Sequence, residues 1–337
     1  MPSTKSIKQR IKSVKNTSQI TKAMEVVSAT KMRKSQAFAL GSRPYAVASL
    51  EMAQNLLSRT PTALLPPLLT PREIKTSCLL VVTSDKGLAG AFNGNVLKKA
   101  EAKIGEVRAA GIPLTLITVG KKAKEYFDPV RSKSPGATAD APQARRASNG
   151  VERRETPIAK SFWGYGDYST LAETSEVADA ILAGFLDGSW DEVHAAYMNF
   201  RSTLMQEPVV KKILPATREG LEDAVASILP ERGRFAAAPP SSKFQVPSSH
   251  NYEYKFEPSP VEILSALVPQ LIKMHIHHII LESNASEHSA RMVAMKSASD
   301  NAKDLITDLT LVYNNARQAG ITRELSEITA GAEALQN

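Results

Sequence analysis

The chain has 337 residues, of which 42% are hydrophobic and only 6% aromatic, enough for a core packed mainly by aliphatic and small side chains. Its single cysteine, Cys78, lies in an apolar run, which excludes a disulfide framework and a cysteine-based metal site. The formal net charge is +8. Residues 1–60 hold 11 Lys/Arg against 2 acidic residues, whereas residues 258–337 hold 6 against 9. The basic first segment therefore pairs with the acidic last one or contacts an acidic partner.

The N-terminus and the hydropathy predict a protein that does not cross a membrane by itself. The early basic residues Lys5, Lys8 and Arg10 are not followed by the apolar core of a secretory signal. No stretch reaches the run of about 18 apolar residues that a helix needs to cross a bilayer. We therefore expect a soluble or peripheral protein in a reducing compartment.

The first element is a long predicted helix over residues 3–57, for which Pro44 predicts a kink. Its apolar residues recur in steps of four and three, which is a helical period. They are Ile7, Ile11 and Val14, followed by Ile20, Met24 and Val27. Four prolines then end the helix and predict a stiff linker, namely Pro61, Pro66, Pro67 and Pro71.

Residues 61–257 predict a Rossmann-like α/β domain whose first strands are parallel. Its first half comprises a strand at 78–83, a Gly-rich turn, a helix at 92–109 and a strand at 112–119. A helix at 171–186 and strands at 193–200, 208–214 and 252–256 complete the pattern. Segments near 131–160 and 230–249 bury too little apolar area to offset ordering entropy, so they are predicted to be flexible surface insertions.

Residues 258–337 predict a second long helix, interrupted by Pro269, Gly320 and Gly331. A heptad seam runs along Ala298, Ala302, Leu305, Leu309, Val312, Ala316 and Ala319. After Gly320 the seam resumes out of phase at Ile321, Leu325, Ile328, Ala332 and Leu335. Long helices of opposite charge at the two chain ends predict an antiparallel coiled coil, beyond which the longer C-terminal helix projects.

The turn after the first strand, residues 84–95, is the strongest candidate for a binding loop. A Gly-rich loop that opens a helix is able to hold phosphate through its backbone N–H groups. This loop matches neither GxxxxGK[ST] nor GxGxxG, because Lys86 precedes the glycines. We therefore favour a tight turn or a partner-contact loop over a nucleotide site.

Other polar clusters predict no catalysis, cofactor or metal site. Of His275, His277 and His278, only the first and last are spaced to share a helical face, and no further ligands accompany them, so we expect solvated or partner-facing histidines. A basic face on the first helix predicts contact with an acidic surface, or simply a solvated face. It comprises Lys22, Lys31, Arg33 and Lys34. No recognised DNA-binding motif accompanies this charge.

Three long blocks closely resemble the gamma subunit of F-type ATP synthases. Residues 7–36 read IKQRIKSVKNTSQITKAMEVVSATKMRKSQ, and residues 81–96 read VVTSDKGLAGAFNGNV. Residues 285–335 read ASEHSARMVAMKSASDNAKDLITDLTLVYNNARQAGITRELSEITAGAEAL. The blocks bracket the whole chain and are far more specific than any short motif.

The resemblance implies a non-catalytic rotor shaft. In that family the paired end helices turn inside a ring of three alpha and three beta chains, while the α/β domain stands on the membrane rotor ring. Rotation couples proton flow to ATP synthesis or hydrolysis at the beta-subunit sites. The implied partners are the alpha and beta subunits, the epsilon subunit and the c-ring, with no nucleic acid. The implied location is peripheral, on the cytoplasmic side of the bacterial cell membrane.

The resemblance also implies contact residues. The family's polar contacts with catch loops of the ring are resembled by Arg317, Gln318, Thr322 and Glu324. Positions near the acidic lever segment of the beta chain are resembled by Met24 and Lys86. Alternatively, these polar residues are the solvated face of a coiled coil.

The sequence departs from the family at the Gly-rich turn and in the insertions. Many members have cysteine where Ala89 stands, so we expect no thiol chemistry there, and the insertions lack the cysteine pair of the chloroplast redox switch. Two other function classes stay open: an α/β nucleotide-binding enzyme that uses the 86–94 loop, and a basic coiled-coil scaffold for nucleic acid.

Overall fold

The structure, a computed structural model, describes residues 4–41, 48–49, 52–53, 55–57, 60–61, 64–128, 156–165, 169–216 and 256–336. The helices are α1 (Thr4–Gly41), α2 (Phe92–Ala109), α3 (Lys121–Phe127), α4 (Leu171–Leu186) and α5 (Pro260–Gln336). The strands are β1 (Ser77–Val82), β2 (Leu114–Val119), β3 (Ile158–Phe162), β4 (Glu192–Phe200) and β5 (Gln206–Leu214). Two compact units are formed, one by Met1–Thr30 with Arg291–Asn337 and the other by Lys31–Ala290.

The unit formed by Lys31–Ala290 contains a five-stranded sheet in the order β3-β2-β1-β4-β5. The first four strands are parallel, and β5 returns from β4 as an antiparallel hairpin. In the centre, Leu80 of β1 pairs with Ile117 of β2 and Ala195 of β4. Every residue of β1 is buried, which is typical of a central strand in a parallel sheet that is covered on both faces. The predicted α/β class is confirmed.

Helices cover both faces of this sheet. Alternate residues of β1 point to opposite faces, so Leu80 packs in one hydrophobic cluster and Val81 in the other. The first cluster joins the sheet to α4 and the start of α5, through residues that include Val177, Ile181, Phe185, Leu264, Val268 and Ile272. The second joins it to α2 and α3, through residues that include Phe92, Val96, Ala100, Ile104 and Ala123.

Two elements of the sheet unit were not predicted. The short helix α3 follows β2 directly, and β3 includes residues 158–160, so the prediction of an unstructured insertion over 131–160 is wrong at its end. The sequence of β3 has little strand character, and the strand is ordered by its neighbour: the Leu116 amide donates to the Pro157 carbonyl at 2.8 Å. Several predicted features lie outside the described residues, namely those at residues 131–155, 230–249 and 252–255 and the kink at Pro44.

The second long helix, α5, is continuous through both Pro269 and Gly320, so the predicted interruptions are wrong. Proline removes one helical N–H, but its neighbours Val268 and Leu271 are buried in the core, which offsets that loss. An 18-residue window of α5 is apolar enough, by length and composition, to span a membrane, contrary to the sequence prediction. Half of that window is buried inside the protein.

The unit formed by Met1–Thr30 and Arg291–Asn337 pairs α1 with the C-terminal part of α5 along two heptad stripes. The least exposed residues of α1 follow steps of four and three along Ile7, Ile11, Val14, Ser18, Thr21, Glu25 and Ser28. Those of α5 follow the same steps along Met295, Ser299, Ala302, Ile306, Leu309, Tyr313 and Ala316. This spacing is that of a coiled-coil seam.

The predicted seam positions are therefore only partly correct. Ile20 and Val27 of α1 are 61% and 50% exposed, and Leu305 and Val312 of α5 are 40% and 49% exposed. The true seam uses small hydroxyl residues that a search for apolar residues passes over. Thr21 is buried because its hydroxyl donates to the Ser18 carbonyl at 3.0 Å, which satisfies the polar group within the helix.

Four charges link the two helices beside the small-residue part of the seam. Lys22 and Glu25 pair on α1 at 3.0 Å, and Asp300 and Lys303 pair on α5 at 2.9 Å. The hydrogen bond and charge of Lys303 lower the pKa of Asp300, and Lys22 acts in the same direction. Asp300 in turn raises the pKa of Lys303, assisted by Glu25. Opposite charges therefore face each other across the pair, as the uneven charge of the two chain ends predicts.

We expect Lys22→Glu to lower the thermal stability of the helix pair at low salt, and Asp300→Lys in the same chain to restore part of it. The reason is that the reversal places like charges across the pair, and the second change makes them opposite again. Thermal scans at about 0.05 and about 1 M salt check this, since the effect should vanish at high salt. Lys12→Glu, an exposed position on α1, is the control. An undiminished loss at 1 M salt would show that packing, not charge, is responsible.

Candidate functional site

The C-terminal end of α5 is the most exposed helical segment of the coiled-coil unit. Arg317, Gln318, Thr322 and Glu324 are all exposed, as is every residue from 321 to 330. On a helical period Gln318 and Thr322 share one face, and Arg317 and Glu324, seven residues apart, share a neighbouring one. The four predicted contact residues thus lie in two polar pairs on different faces of the helix, not on one polar surface.

An apolar stripe runs between these two polar pairs. Ile321, Leu325 and Ile328 are 50%, 57% and 67% exposed and follow steps of three and four. The prediction that the seam resumes beyond Gly320 is therefore correct in its spacing. It is not correct in burial, because the described part of this chain does not cover these three residues. An exposed helical stripe of large apolar residues is typical of a surface that a partner covers.

The remaining predicted residues of the N-terminal helix are distributed over different environments. Met24 is half-buried, and the ammonium of Lys22 is engaged with Glu25, so neither is a free surface group. Lys31 and Lys34 are three residues apart and share a face, whereas Arg33 lies on another. The predicted basic face is therefore not a single patch.

The Gly-rich turn after β1 is ordered by its own polar groups. The Asp85 carboxylate accepts hydrogen bonds from the amides of Lys121 and Gly164, both at 2.9 Å. The Asn93 amide oxygen accepts from the Ser84 amide at 3.1 Å. These contacts favour the tight-turn hypothesis over a phosphate-binding loop, and they leave Lys86 exposed at the surface.

A cavity of about 260 Å³ opens at the carboxyl ends of β1, β2 and β3. Ligands of open α/β sheets bind at this edge. Its lining includes Thr83, Asp85, Lys86, Gly120, Trp163, Tyr165, Asn284, Glu287 and His288. The carboxylates of Asp85 and Glu287 disfavour a phosphate here, so the cavity does not support the nucleotide-binding hypothesis.

Of the three histidines of α5, His278 is buried, whereas His275 and His277 are half-buried and the Nε2 atom of His275 is shielded from solvent, so the prediction of solvated histidines is wrong. His278 is 4% exposed, and its Nε2 lies 3.2 Å from the buried Glu282 carboxylate. The His277 ring nitrogen Nδ1 lies 2.8 Å from the Thr174 hydroxyl. Burial, followed by His278 and Lys211, lowers the pKa of His275 to about 3. Among the described residues no three His, Cys, Asp or Glu side chains are grouped to hold a metal.

The turn between β4 and β5 was not predicted to be of interest, although two large apolar residues in a turn are an available signal. Leu204 is 85% exposed, the highest value among the large apolar residues of the described chain, and Met205 is 62% exposed. The turn is closed by reciprocal backbone hydrogen bonds between Ser202 and Met205, at 2.9 and 3.2 Å.

Comparison with known proteins gives one consistent result. A family model described as ATP synthase matches residues 3–335. The ATP synthase gamma chain of Gloeothece citriformis is 39% identical over 339 residues, covering 99% of this chain and all of the relative. That of Rippkaea orientalis is equally similar, with 39% identity and the same coverage.

Solved structures support the fold. The chain resembles a rotor chain of the Euglena gracilis mitochondrial ATP synthase with a TM-score of 0.54 and 15% identity, over 94% of this chain and 98% of that one. A second Euglena gracilis structure, of the OSCP/F1/c-ring part, matches with a TM-score of 0.55 and 16% identity. The match covers 98% of this chain and 94% of that one. At these identities the likeness concerns the arrangement of helices and strands.

Proposed function

Since the chain belongs to the ATP synthase gamma-chain family, we propose that it is the central-stalk rotor subunit, which couples proton flow to ATP synthesis or hydrolysis by rotation. Its partners are the alpha and beta chains of the catalytic ring, the epsilon chain and the c-ring. It is a subunit of an enzyme complex, and we assign the chemistry itself to the beta-subunit sites. The complex is membrane-associated, and we place this chain on the cytoplasmic side of the bacterial cell membrane.

One observation carries this proposal: residues 321–330 of α5 expose polar and apolar side chains together without any cover from the described chain. A rotor works by presenting a different side to each catalytic site, so that site affinities change as it turns. A single helix end whose apolar stripe lies between two polar faces supplies such a difference. Within the proposal the division of the chain into residues 1–60, 61–257 and 258–337 stays a prediction.

In this proposal Arg317, Gln318, Thr322 and Glu324 contact the ring through hydrogen bonds, and Ile321, Leu325 and Ile328 supply apolar contact. Met24 and Lys86 meet the acidic lever segment of the beta chain. Lys31 and Lys34 add positive charge on one face of α1, and Arg33 adds it on another. An Arg or Lys opposite a carboxylate makes the strongest class of hydrogen bond, which suits a contact that transmits force.

We expect the pair Arg317→Ala and Gln318→Ala to lower proton-driven ATP synthesis at least about tenfold, because loss of the charge-assisted hydrogen bond of Arg317 alone weakens the contact by roughly 1.5–3 kcal/mol. The measurement is ATP synthesis by inverted membrane vesicles, normalised to the amount of assembled complex. Arg323→Ala is the matched control, because its guanidinium pairs with Glu327 at 2.9 Å on the same helix. Equal losses in both variants would argue against a specific contact.

Purification of the native assembly through a tag on this chain tests the proposal as a whole. We expect alpha, beta, epsilon and c chains to co-purify in a complex that hydrolyses ATP. Recovery of the chain alone, or with nucleic acid that is released steeply by salt, would instead support the basic-scaffold alternative.

A further inference from the structure

We propose that α5 is locked against rotation about its own axis within the sheet unit, by polar side-chain contacts on two nearly opposite faces of the helix. This inference rests on the proposed rotor function, because a rotor subunit carries torque from one part of the chain to another. The residues that hold the helix are His277, Asn284, Ser286 and Ser289. They are positioning residues, which act by fixing α5 on the sheet unit.

One face of α5 is held by α4 and by the residue just before its N-cap. The His277 ring nitrogen Nδ1 lies 2.8 Å from the hydroxyl of Thr174, in the first turn of α4. The Asn284 side-chain amide donates to the Ser169 hydroxyl at 3.2 Å. Ser169 and Thr174 are 5% and 1% exposed, so both contacts are shielded from water. A buried polar group that loses its partner destabilises the protein, so these contacts resist being broken.

Another face of α5 is held by β4 and by the turn between β4 and β5. The Ser286 hydroxyl donates to the Met198 carbonyl at 3.2 Å, and the Ser289 hydroxyl donates to the Thr203 carbonyl at 2.7 Å. The Gln206 side chain donates in turn to the Ser289 hydroxyl at 3.3 Å. Both serines are completely buried. This face is therefore fixed to backbone atoms of the sheet and of its hairpin turn.

The two pairs lie on nearly opposite sides of the helix. At about 100° per residue, Asn284 lies within about 20° of His277, whereas Ser286 and Ser289 lie about 180° and about 120° round from it. Apolar packing is non-directional, but a hydrogen bond requires both its distance and its angle. Turning α5 in either direction therefore breaks contacts on both sides of the helix.

The position of these contacts along α5 is where a rotational lock is needed. The helix is continuous from Pro260 to Gln336, and the sheet unit ends at Ala290, one residue after Ser289. The contacts thus hold α5 directly before it leaves the sheet unit. Torque applied to the sheet unit passes into the helix through them, rather than through apolar packing alone.

The test measures the torsional stiffness between the catalytic ring and the sheet unit in the assembled complex. The ring is fixed to a surface, and a bead is attached through Lys98→Cys and Ala102→Cys, exposed positions one turn apart on α2. The native Cys78 is buried, so it does not take the label. The angular variance of the bead is recorded while the complex is stalled by ADP.

We expect Ser286→Ala with Ser289→Ala to raise this variance about twofold, because two of the four directional contacts are lost. Ser169→Ala with Thr174→Val removes hydroxyls from the opposite side at nearly constant volume, and we expect an effect of similar size. Ser265→Ala is the matched control, because its exposed hydroxyl donates only to the Val261 carbonyl of the same helix, at 2.8 Å. Variance in both pair variants equal to that of the control would overturn the inference.

The same preparation separates this inference from the rotor proposal. If the complex with the unsubstituted chain does not rotate when ATP is added, the rotor proposal itself fails. If it rotates and the pair variants leave the variance unchanged, only the rotational lock fails. Measurements well below the unfolding temperature of each variant distinguish a loosened helix from a general loss of stability. If one pair variant does not assemble, the other pair decides the result.

Discussion

Replacing Gly120 by alanine should destabilise the sheet unit by about 3–5 kcal/mol, the largest single-residue effect that we expect in this chain. Gly120 has φ +93°, a backbone conformation that residues with a side chain rarely adopt. A Cβ there would overlap the Thr83 carbonyl, which lies at the end of β1.

Neither partner is able to move out of the way, because both join several elements. The Gly120 amide donates to the Phe162 carbonyl at 2.8 Å, which holds β3 against β2. The Thr83 hydroxyl accepts from the Ala123 amide at 2.8 Å, and its amide donates to Val119 at 2.8 Å. Any shift of Thr83 therefore breaks contacts with β2 and α3 at once.

Urea unfolding followed by circular dichroism measures this effect, with Gly111→Ala as the matched control. Gly111 also has positive φ, +72°, but a Cβ there would have no atom within 4 Å. Only conformational strain should remain, about 1 kcal/mol. Similar losses in the two variants would mean that the overlap with Thr83 is relieved and that strain alone acts.

The second large effect is a loss of stability in acid that originates in buried imidazoles. Burial lowers the pKa of His275 to about 3, and burial also lowers the pKa values of His277 and His194. The unfolded chain therefore binds protons below pH 6.5 that the folded chain does not. The free energy of unfolding is thus fully present above pH 6.5 and falls as the pH is lowered toward 3.

Between pH 7 and pH 5 we expect His275 alone to lower the free energy of unfolding by about 2 kcal/mol. The reason is that each proton taken up on unfolding contributes about 1.4 kcal/mol per pH unit. Urea titrations at several pH values between 5 and 7 measure the slope. His275→Gln should reduce the loss of unfolding free energy between pH 7 and pH 5 by about 2 kcal/mol. Lys273→Met removes a charge from the same stretch of α5 without removing an imidazole, so its slope should match that of the unsubstituted chain.

The coiled coil shows how far residue patterns lead. The 3.5-residue period of α1 and α5, and the small size of Ala302 and Ala316, are visible in the sequence and correctly predicted two long paired helices. The rotation of each helix was not predictable, because Thr21 and Ser299 look polar and Val312 looks apolar. Once the Thr21 hydroxyl bonds to the Ser18 carbonyl of its own helix, this small residue packs in the seam in place of a large apolar one.

The histidines and the edge strand show where patterns fail. The sequence around His275 does not distinguish a solvated helix face from a buried one, because apolar residues lie on most sides of this part of α5. Only packing against the sheet decides which face is buried. Likewise β3 becomes a strand only because β2 offers an unpaired edge.

By itself, the sequence determined the two long end helices, the parallel α/β domain between them and, through three long blocks, the family. Local propensity and period suffice for these because they are repeated over many residues. Only the tertiary structure decided which face of each helix is buried, that Pro269 and Gly320 do not interrupt α5, and that Leu204 and Met205 stand exposed on a rigid turn. Those outcomes depend on contacts between residues far apart in the chain, whose energies local sequence does not carry.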